Sequence, residues 1–304
     1  MLNFALLAAC LFAASPADLP ETAPANPVFE ELTEKGVTLS DGKAYKLLPP
    51  SMGDGLSPTD QKAVIEKIAK MKKLTFENLT DERTEAPVVL IIRTLKESEN
   101  DSSTVRAIDL WFIAHGKWDV LNSREFLDSL SKSKNAENKN EVVSKSGFLS
   151  EEELKKRDID LESTPEREMK IAYATFSLFD QVELSATRLA VATRSKTAIL
   201  GAARMDRRFD ADADYPNRWR PIEHSASDEV SYGKPQPYSG GGSYIKVTKL
   251  ADPADSIFIE CHLIYEEPYG WFDGGELLNS KLPTIVKAKV RSFRSKLNIA
   301  SKEK

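Results

Sequence analysis

Apolar residues recur along this chain in two rhythms, one helical and one alternating, and the change between them falls at serines, prolines and glycines. Ser57-Pro58-Thr59-Asp60 has the grammar of a helix start, with Ser57 as N-cap, Pro58 in the first helical position and an acid three residues on. Val64, Ile65, Ile68 and Met71 then repeat at helical spacing with Lys62, Glu66, Lys67 and Lys70 opposite, which predicts an amphipathic helix to about Lys73. Residues 87–96 and 104–115 are rich in β-branched and aromatic types around the turn-forming ESENDSS. They predict a hairpin whose second strand carries Ile108, Leu110 and Phe112 on one face. A short helix is expected from about Ser123, and the polar stretch 131–147 is expected as a flexible insertion.

Ser150 and Glu153 form a second capping box, opening a short helix whose acids precede its bases, as the helix dipole favours. Three alternating runs between 167 and 205 predict an antiparallel meander joined at Asp180-Gln181 and Arg194-Ser195. Residues 206–242, with Pro, Asp and Gly throughout, are expected as one long loop, and Gly240-Gly241-Gly242 as its flexible joint. Another hairpin, SYIKVTKL and SIFIECHLIYEE, is followed by a helix from about Pro283 to Leu297 with Val286, Val290, Phe293 and Leu297 as its buried stripe. The expected fold is α+β: antiparallel β-hairpins and a three-stranded meander flanked by amphipathic helices, in one domain over 56–304.

The first residues follow neither rhythm. The apolar run Leu2 to Ala14 is shorter than the about 20 residues of a spanning helix and ends at small residues, so residues 1–17 read as a signal peptide cleaved after Ala17. Leu7-Ala8-Ala9-Cys10 also has the form of a lipobox, in which Cys10 is lipidated and the protein tethered. Residues 18–55 read as a Pro/Ala-rich stalk and acidic lead-in. The expected location is therefore extracytoplasmic, secreted or periplasmic, with a lipid anchor as the only route to the membrane. Once the leader is gone only Cys261 remains, so the fold must be held by its core and not by a disulfide. A net charge of -5 gives no basic surface overall and argues against nucleic acid as a partner.

Candidate chemistry concentrates in the second half. Asp210, Asp212 and Asp214 place carboxylates at alternate positions, a pattern suited to calcium. An EF-hand loop counted from Asp210 would need Gly and Glu where Tyr215 and Pro221 stand, so only an irregular calcium site fits, and pairing with Arg207, Arg208, Arg218 and Arg220 is the plainer reading. Glu223, His224 and Asp228 form the one loop group able to serve a hydrolase as acid and base. His115 reads as a strand-end polar residue. Cys261 and His262 are adjacent on a strand and point to opposite faces, so they cannot act as a nucleophile-base pair. Cys261 joins an apolar face; Glu260, His262 and Glu266 share the other, where solvated pairing with Lys or Arg is expected. No nucleophile elbow, phosphate-binding loop or dinucleotide fingerprint is present in the sequence.

Two surfaces are suited to binding. Tyr269, Trp271 and Asp273 lie in an aromatic and acidic turn that can stack on sugar rings or anchor into the core. The last helix carries Lys287, Lys289, Arg291, Arg294 and Lys296 with few acids, a face for anionic lipid, an acidic polymer or plain solvent. Each outer hairpin is followed by a glycine, a tryptophan-aspartate element and a helix, a faint internal echo around Trp118 and Trp271. Tyr215-Pro216-Asn217-Arg218-Trp219-Arg220, the strand SYIKVTKL and EEPYGWFDGGELLNSKLP resemble an uncharacterised exported protein family of planctomycete bacteria. The resemblance implies an envelope location and one integrated domain, and no activity. The expected function is a non-enzymatic binding or structural module whose partner is an envelope protein or polysaccharide; the alternative is a hydrolase or calcium-dependent binding protein using residues 206–228.

Overall fold

The computed structural model describes residues 19–97, 103–131, 141–224, 230–272 and 277–303. Cys10, Asp228 and Asp273 lie outside them. The chain opens with a turn of helix, α1 (Pro27–Glu30), continued by a π-helical turn (Glu31–Lys35), then a small hairpin β1 (Val37–Thr38) and β2 (Ala44–Tyr45). Helices α2 (Pro58–Lys70) and α3 (Phe76–Leu79) precede strands β3 (Val89–Lys96) and β4 (Thr104–His115). After α4 (Trp118–Leu121) and α5 (Arg124–Ser131) come β5 (Glu141–Phe148), α6 (Glu151–Lys155), β6 (Arg167–Leu178), β7 (Val182–Arg194) and β8 (Ala198–Met205). Strands β9 (Arg218–His224), β10 (Val230–Tyr232), β11 (Gln236–Pro237), β12 (Gly241–Lys249) and β13 (Ser256–Glu267) lead to the long helix α7 (Leu277–Glu303).

Eight strands make one antiparallel sheet in the order β3-β4-β13-β12-β8-β7-β6-β5. Where β8 leaves β7, β9 takes its place against Val182 to Ser185 and carries β10 and β11 with it. One face of the sheet packs under α7, α4 and α5: Leu110, Phe112, Ile259, Cys261 and Ile245 meet Val286, Val290, Phe293 and Leu297. The opposite face is covered by the N-terminal third, with Val28, Leu32, Leu39 and Leu47 over Tyr244 and Ile264, and Met52, Ile65 and Ile68 over Trp111 and Phe258. The result is three layers, with the sheet buried on both sides.

Three expected segments take a different form. Residues 18–55, expected as a stalk and lead-in, are a packed cover from residue 26 onward, because Asn26 caps α1 through Phe29 N and its Nδ2 donates to Val191 O of the sheet. The second half of the expected insertion 131–147 is β5, paired along β6; its polar residues suit an edge strand with an exposed face. The expected loop 206–242 holds a 3₁₀ turn (Arg207–Phe209), β9, β10 and β11, its prolines confined to these short outer strands. Nor are the three glycines a joint: Gly240 turns at φ +83°, and a Cβ on Gly242 would stand 2.2 Å from Leu32 Cδ2, so close packing of the cover demands glycine there. Helix α7 begins six residues before the expected Pro283 and runs through it.

Candidate functional site

Helix α7 crosses the sheet but leaves its β3 edge uncovered. Val88, Leu90 and Ile92 face the helix side of the sheet and are only half-buried, since Leu90 pairs with Leu110 and Ile92 with Ile108 but, among the described residues, no strand lies beyond β3. On the helix, Pro283, Lys287, Arg291 and Arg294 follow one another at spacings of four, four and three, a stripe beside the apolar seam of Val286, Val290, Phe293 and Leu297. The two rows bound a groove of about 680 Å³ whose end is closed by residues 84–87 and by Lys72 and Leu74. Its floor is hydrocarbon and its rim carries Lys72, Lys287, Arg291 and Arg294 against the one carboxylate of Glu85.

Arg294 holds this groove together. Its side chain is 5 % exposed and its guanidinium donates to four backbone carbonyls: Ile113 O at 2.8 Å, Thr84 O at 3.2 Å, Pro87 O at 3.3 Å, and Ala86 O. Burial pulls its pKa down to about 10, opposed by Asp81 and Glu85, so it stays charged at neutral pH. A planar fork with five donors suits this role, which lysine could not fill. The expected solvated face of the last helix is therefore partly an interior one. Lys296, half-buried, donates to Ser129 O near the surface, while Lys287 and Arg291 stay exposed at the rim.

The opposite face of the sheet carries a different polar assembly. Asp109, Glu260 and His262 are 2 %, 0 % and 1 % exposed, so the solvated pairing expected for Glu260, His262 and Glu266 gives way to a buried network. Pairing sets Asp109 across from His262 and Lys246 across from Glu260. His262 Nδ1 lies 2.8 Å from Asp109 Oδ1, Asp109 also takes Arg93 at 2.8 Å, and Lys246 bridges to Asp54 at 2.6 Å. Nε2 of His262 stands 3.7 Å from Glu260 Oε2, past hydrogen-bond length but within strong reach of its charge. Burial would lower the His262 pKa, but the Asp109 hydrogen bond and the Glu260 carboxylate prevail and hold it above its ordinary value. With His262 protonated, Arg93, His262 and Lys246 balance Asp109, Glu260 and Asp54, three charges against three.

This network fastens the cover. Glu260 accepts from Ser51 N at 2.7 Å and Met52 N at 3.2 Å, Lys246 donates to Met52 O, Trp111 Nε1 to Ser51 Oγ, and Tyr244 OH to Leu48 O. Aromatic rings of Tyr244 and Trp111 hold His262 between them at 4.8 and 5.2 Å. Glu266, further along β13, is buried as well and accepts from Ser40. The sequence signal was a histidine between acids on a strand whose other face is apolar; what it did not reveal was the N-terminal cover that seals that face.

The remaining candidates fall in separate places. Glu223 and His224 are exposed at the end of β9, and His224 Nε2 meets Asp180 Oδ2 at 3.1 Å. Asp212 is bound by Arg157 at 2.7 Å, Asp214 by the same guanidinium at 3.1 Å, and Asp210 by Arg207 and Asn217. Arg157, on the turn after α6, is a partner the local sequence did not suggest; with it the Asp212 carboxyl is held down at about 2. Arg220 pairs with Glu183 instead of the aspartates. Among the described residues no group of three or more His, Cys, Asp or Glu side chains is arranged to hold a metal ion. Trp271 is buried, stacked on Tyr238 and edge-on to Trp219, so it anchors its turn, whereas Tyr269 is exposed. Cys261 is buried on the α7 face. His115 ends β4 as expected, its pKa lowered by burial. Among the described residues no helix is long and apolar enough to cross a membrane.

No protein-family model and no curated protein matches this sequence. Solved structures similar to it include human STARD10, at 14 % identity and a TM-score of 0.38 over 84 % of this chain and 87 % of that one. Another is the lipid transfer and protein localization domain of human StarD13 (DLC2), at 8 % identity and a TM-score of 0.38 over 67 % of this chain and 89 % of that one. Likeness this loose assigns neither ligand nor activity.

Proposed function

We propose that this protein is an exported, non-enzymatic binding module whose ligand is an amphiphile with one anionic head and an acyl or alkyl chain. The observation that carries the reading is the groove itself: a floor of Val88, Leu90 and Ile92 beside four cationic side chains and one acid. Apolar surface takes up a chain and excludes water, while a few placed polar groups fix its orientation. Lys287 and Arg291, exposed and four residues apart, suit the carboxylate or phosphate of the head; Arg294, already committed to carbonyls, supplies a fixed positive field. The groove's 680 Å³ falls within the ordinary range for small-ligand sites. Export is supported by the apolar run Leu2 to Ala14 and is tested by sequencing the amino terminus of the mature protein.

Titration of 11-(dansylamino)undecanoic acid, followed by its fluorescence, tests the assignment. The wild type is expected to bind it and to bind the uncharged methyl ester less tightly. Lys287→Glu with Arg291→Glu should weaken the acid at least about tenfold and hardly affect the ester, since two reversed charges at a partly desolvated rim are worth more than one exposed pair. Leu90→Asp should abolish both. Equal affinities for acid and ester, unchanged by the rim variant, would contradict the reading.

A further inference from the structure

The aromatic turn after β13 plays no part in the groove, and it borders a second cavity. This cleft, of about 580 Å³, opens between that turn, β9, β11 and the loop joining β1 to β2, and shares no lining residue with the groove. Its aromatic walls are Tyr269, 60 % exposed, and Trp219. Trp219 is held edge-on by Trp271 at 6.0 Å; Trp271 stacks on Tyr238 at 5.5 Å, and Tyr238 OH donates to Glu266 O at 3.1 Å. The ring is thus fixed before any ligand arrives, which lowers the entropy cost of stacking on it.

The same cleft is lined by groups suited to hydroxyls. Asp41 and Lys96 stand 3.4 Å apart, Asp41 oriented by Tyr45 OH and Lys43 N, so a carboxylate and an ammonium present acceptor and donor side by side. Gln236 adds an exposed amide, and Glu266 a buried carboxylate at the back. Two acids against one lysine disfavour an anion, and the short polar lining lacks the continuous apolar floor an acyl chain needs. Vicinal hydroxyls fit paired donors and acceptors, and the C–H face of a pyranose fits an aromatic ring. We propose that this cleft binds a neutral oligosaccharide, with Tyr269 and Trp219 as stacking platforms and Asp41, Lys96 and Gln236 as its hydrogen-bonding groups.

Isothermal titration calorimetry of the whole protein against cellohexaose, xylohexaose, mannohexaose and chitohexaose tests this. At least one is expected to bind. Tyr269→Ala should weaken it about tenfold while Tyr269→Phe keeps it, because the ring face and not the hydroxyl makes the contact. Asp41→Asn should weaken it without altering the fold, and Arg291→Glu, in the other groove, should leave it unchanged. Absence of heat with all four sugars, or wild-type affinity in Tyr269→Ala, would overturn the proposal.

Discussion

The two faces of the central sheet are buried to a similar depth by different means. Under α7 the contact is an apolar seam, Leu282, Val286, Val290, Phe293 and Leu297 on Leu110, Phe112 and Ile259, and the buried guanidinium of Arg294 is absorbed by backbone carbonyls. Beneath the N-terminal cover the contact is directional, with six charged side chains and the backbone of residues 48–52 joined by hydrogen bonds. Apolar packing tolerates small displacements at modest cost, whereas a buried ion pair tolerates neither loss of a partner nor a shift in register. The candidate groove lies on the adaptable side, where a helix meets the edge strand β3.

Removing one member of each face should separate the two mechanisms. Glu260→Ala leaves the backbone N–H groups of Ser51 and Met52 without their acceptor and His262 without its neighbouring carboxylate, and is expected to cost about 3–5 kcal/mol in urea denaturation. Leu297→Ala removes packing only and should cost about 2–5 kcal/mol, falling toward the lower figure if the helix settles into the gap. A Glu260→Ala loss below about 1 kcal/mol would mean that the cover is held by its hydrocarbon alone. Asn26→Ala comes next, at about 0.5–2 kcal/mol for the cap with the tie to Val191 O lost in addition. Ser57→Ala, a cap on an exposed helix end, should sit at the low end of that range.

Acidity offers a finer distinction. His262 is more easily protonated folded than unfolded, so folding takes up a proton. Its contribution is complete below the unfolded value, about 6.5, and is lost as pH rises through the higher folded value. His262→Gln should flatten that descent in a series of denaturation curves. Asp212 acts in the opposite direction: its lowered pKa makes its contribution present above about 3.8 and lost as pH falls toward about 2, a loss that Arg157→Ala should abolish.

Local grammar was legible wherever local forces decide. Ser57-Pro58 and Ser150 cap helices as expected, the turn at Asp180-Gln181 joins β6 to β7, and the hairpins keep their strand faces. Asn26-Pro27 has the same capping grammar as Ser57-Pro58, yet the surrounding prolines concealed it. β5, at the edge of the sheet, and β9, between β7 and the short β10 and β11, were missed because strands at the margin of a sheet accept the lysines, serines and prolines that elsewhere mark loops. Of the candidate groove, the basic stripe of the last helix was readable but its apolar partner was not, because Val88, Leu90 and Ile92 become a floor only when α7 stops short of them. The His262 network was hidden for a related reason: alternation shows that a strand has two faces, and only a covering segment 194 to 209 residues away determines that both are buried.

Occupation of the groove between β3 and α7 by an anionic amphiphile is decided by a crystal structure of the protein with 11-(dansylamino)undecanoic acid. The carboxylate is expected within hydrogen-bonding distance of Lys287 or Arg291 and the chain along Leu90 and Ile92. A probe found elsewhere on the molecule, with the groove holding only water, would contradict it.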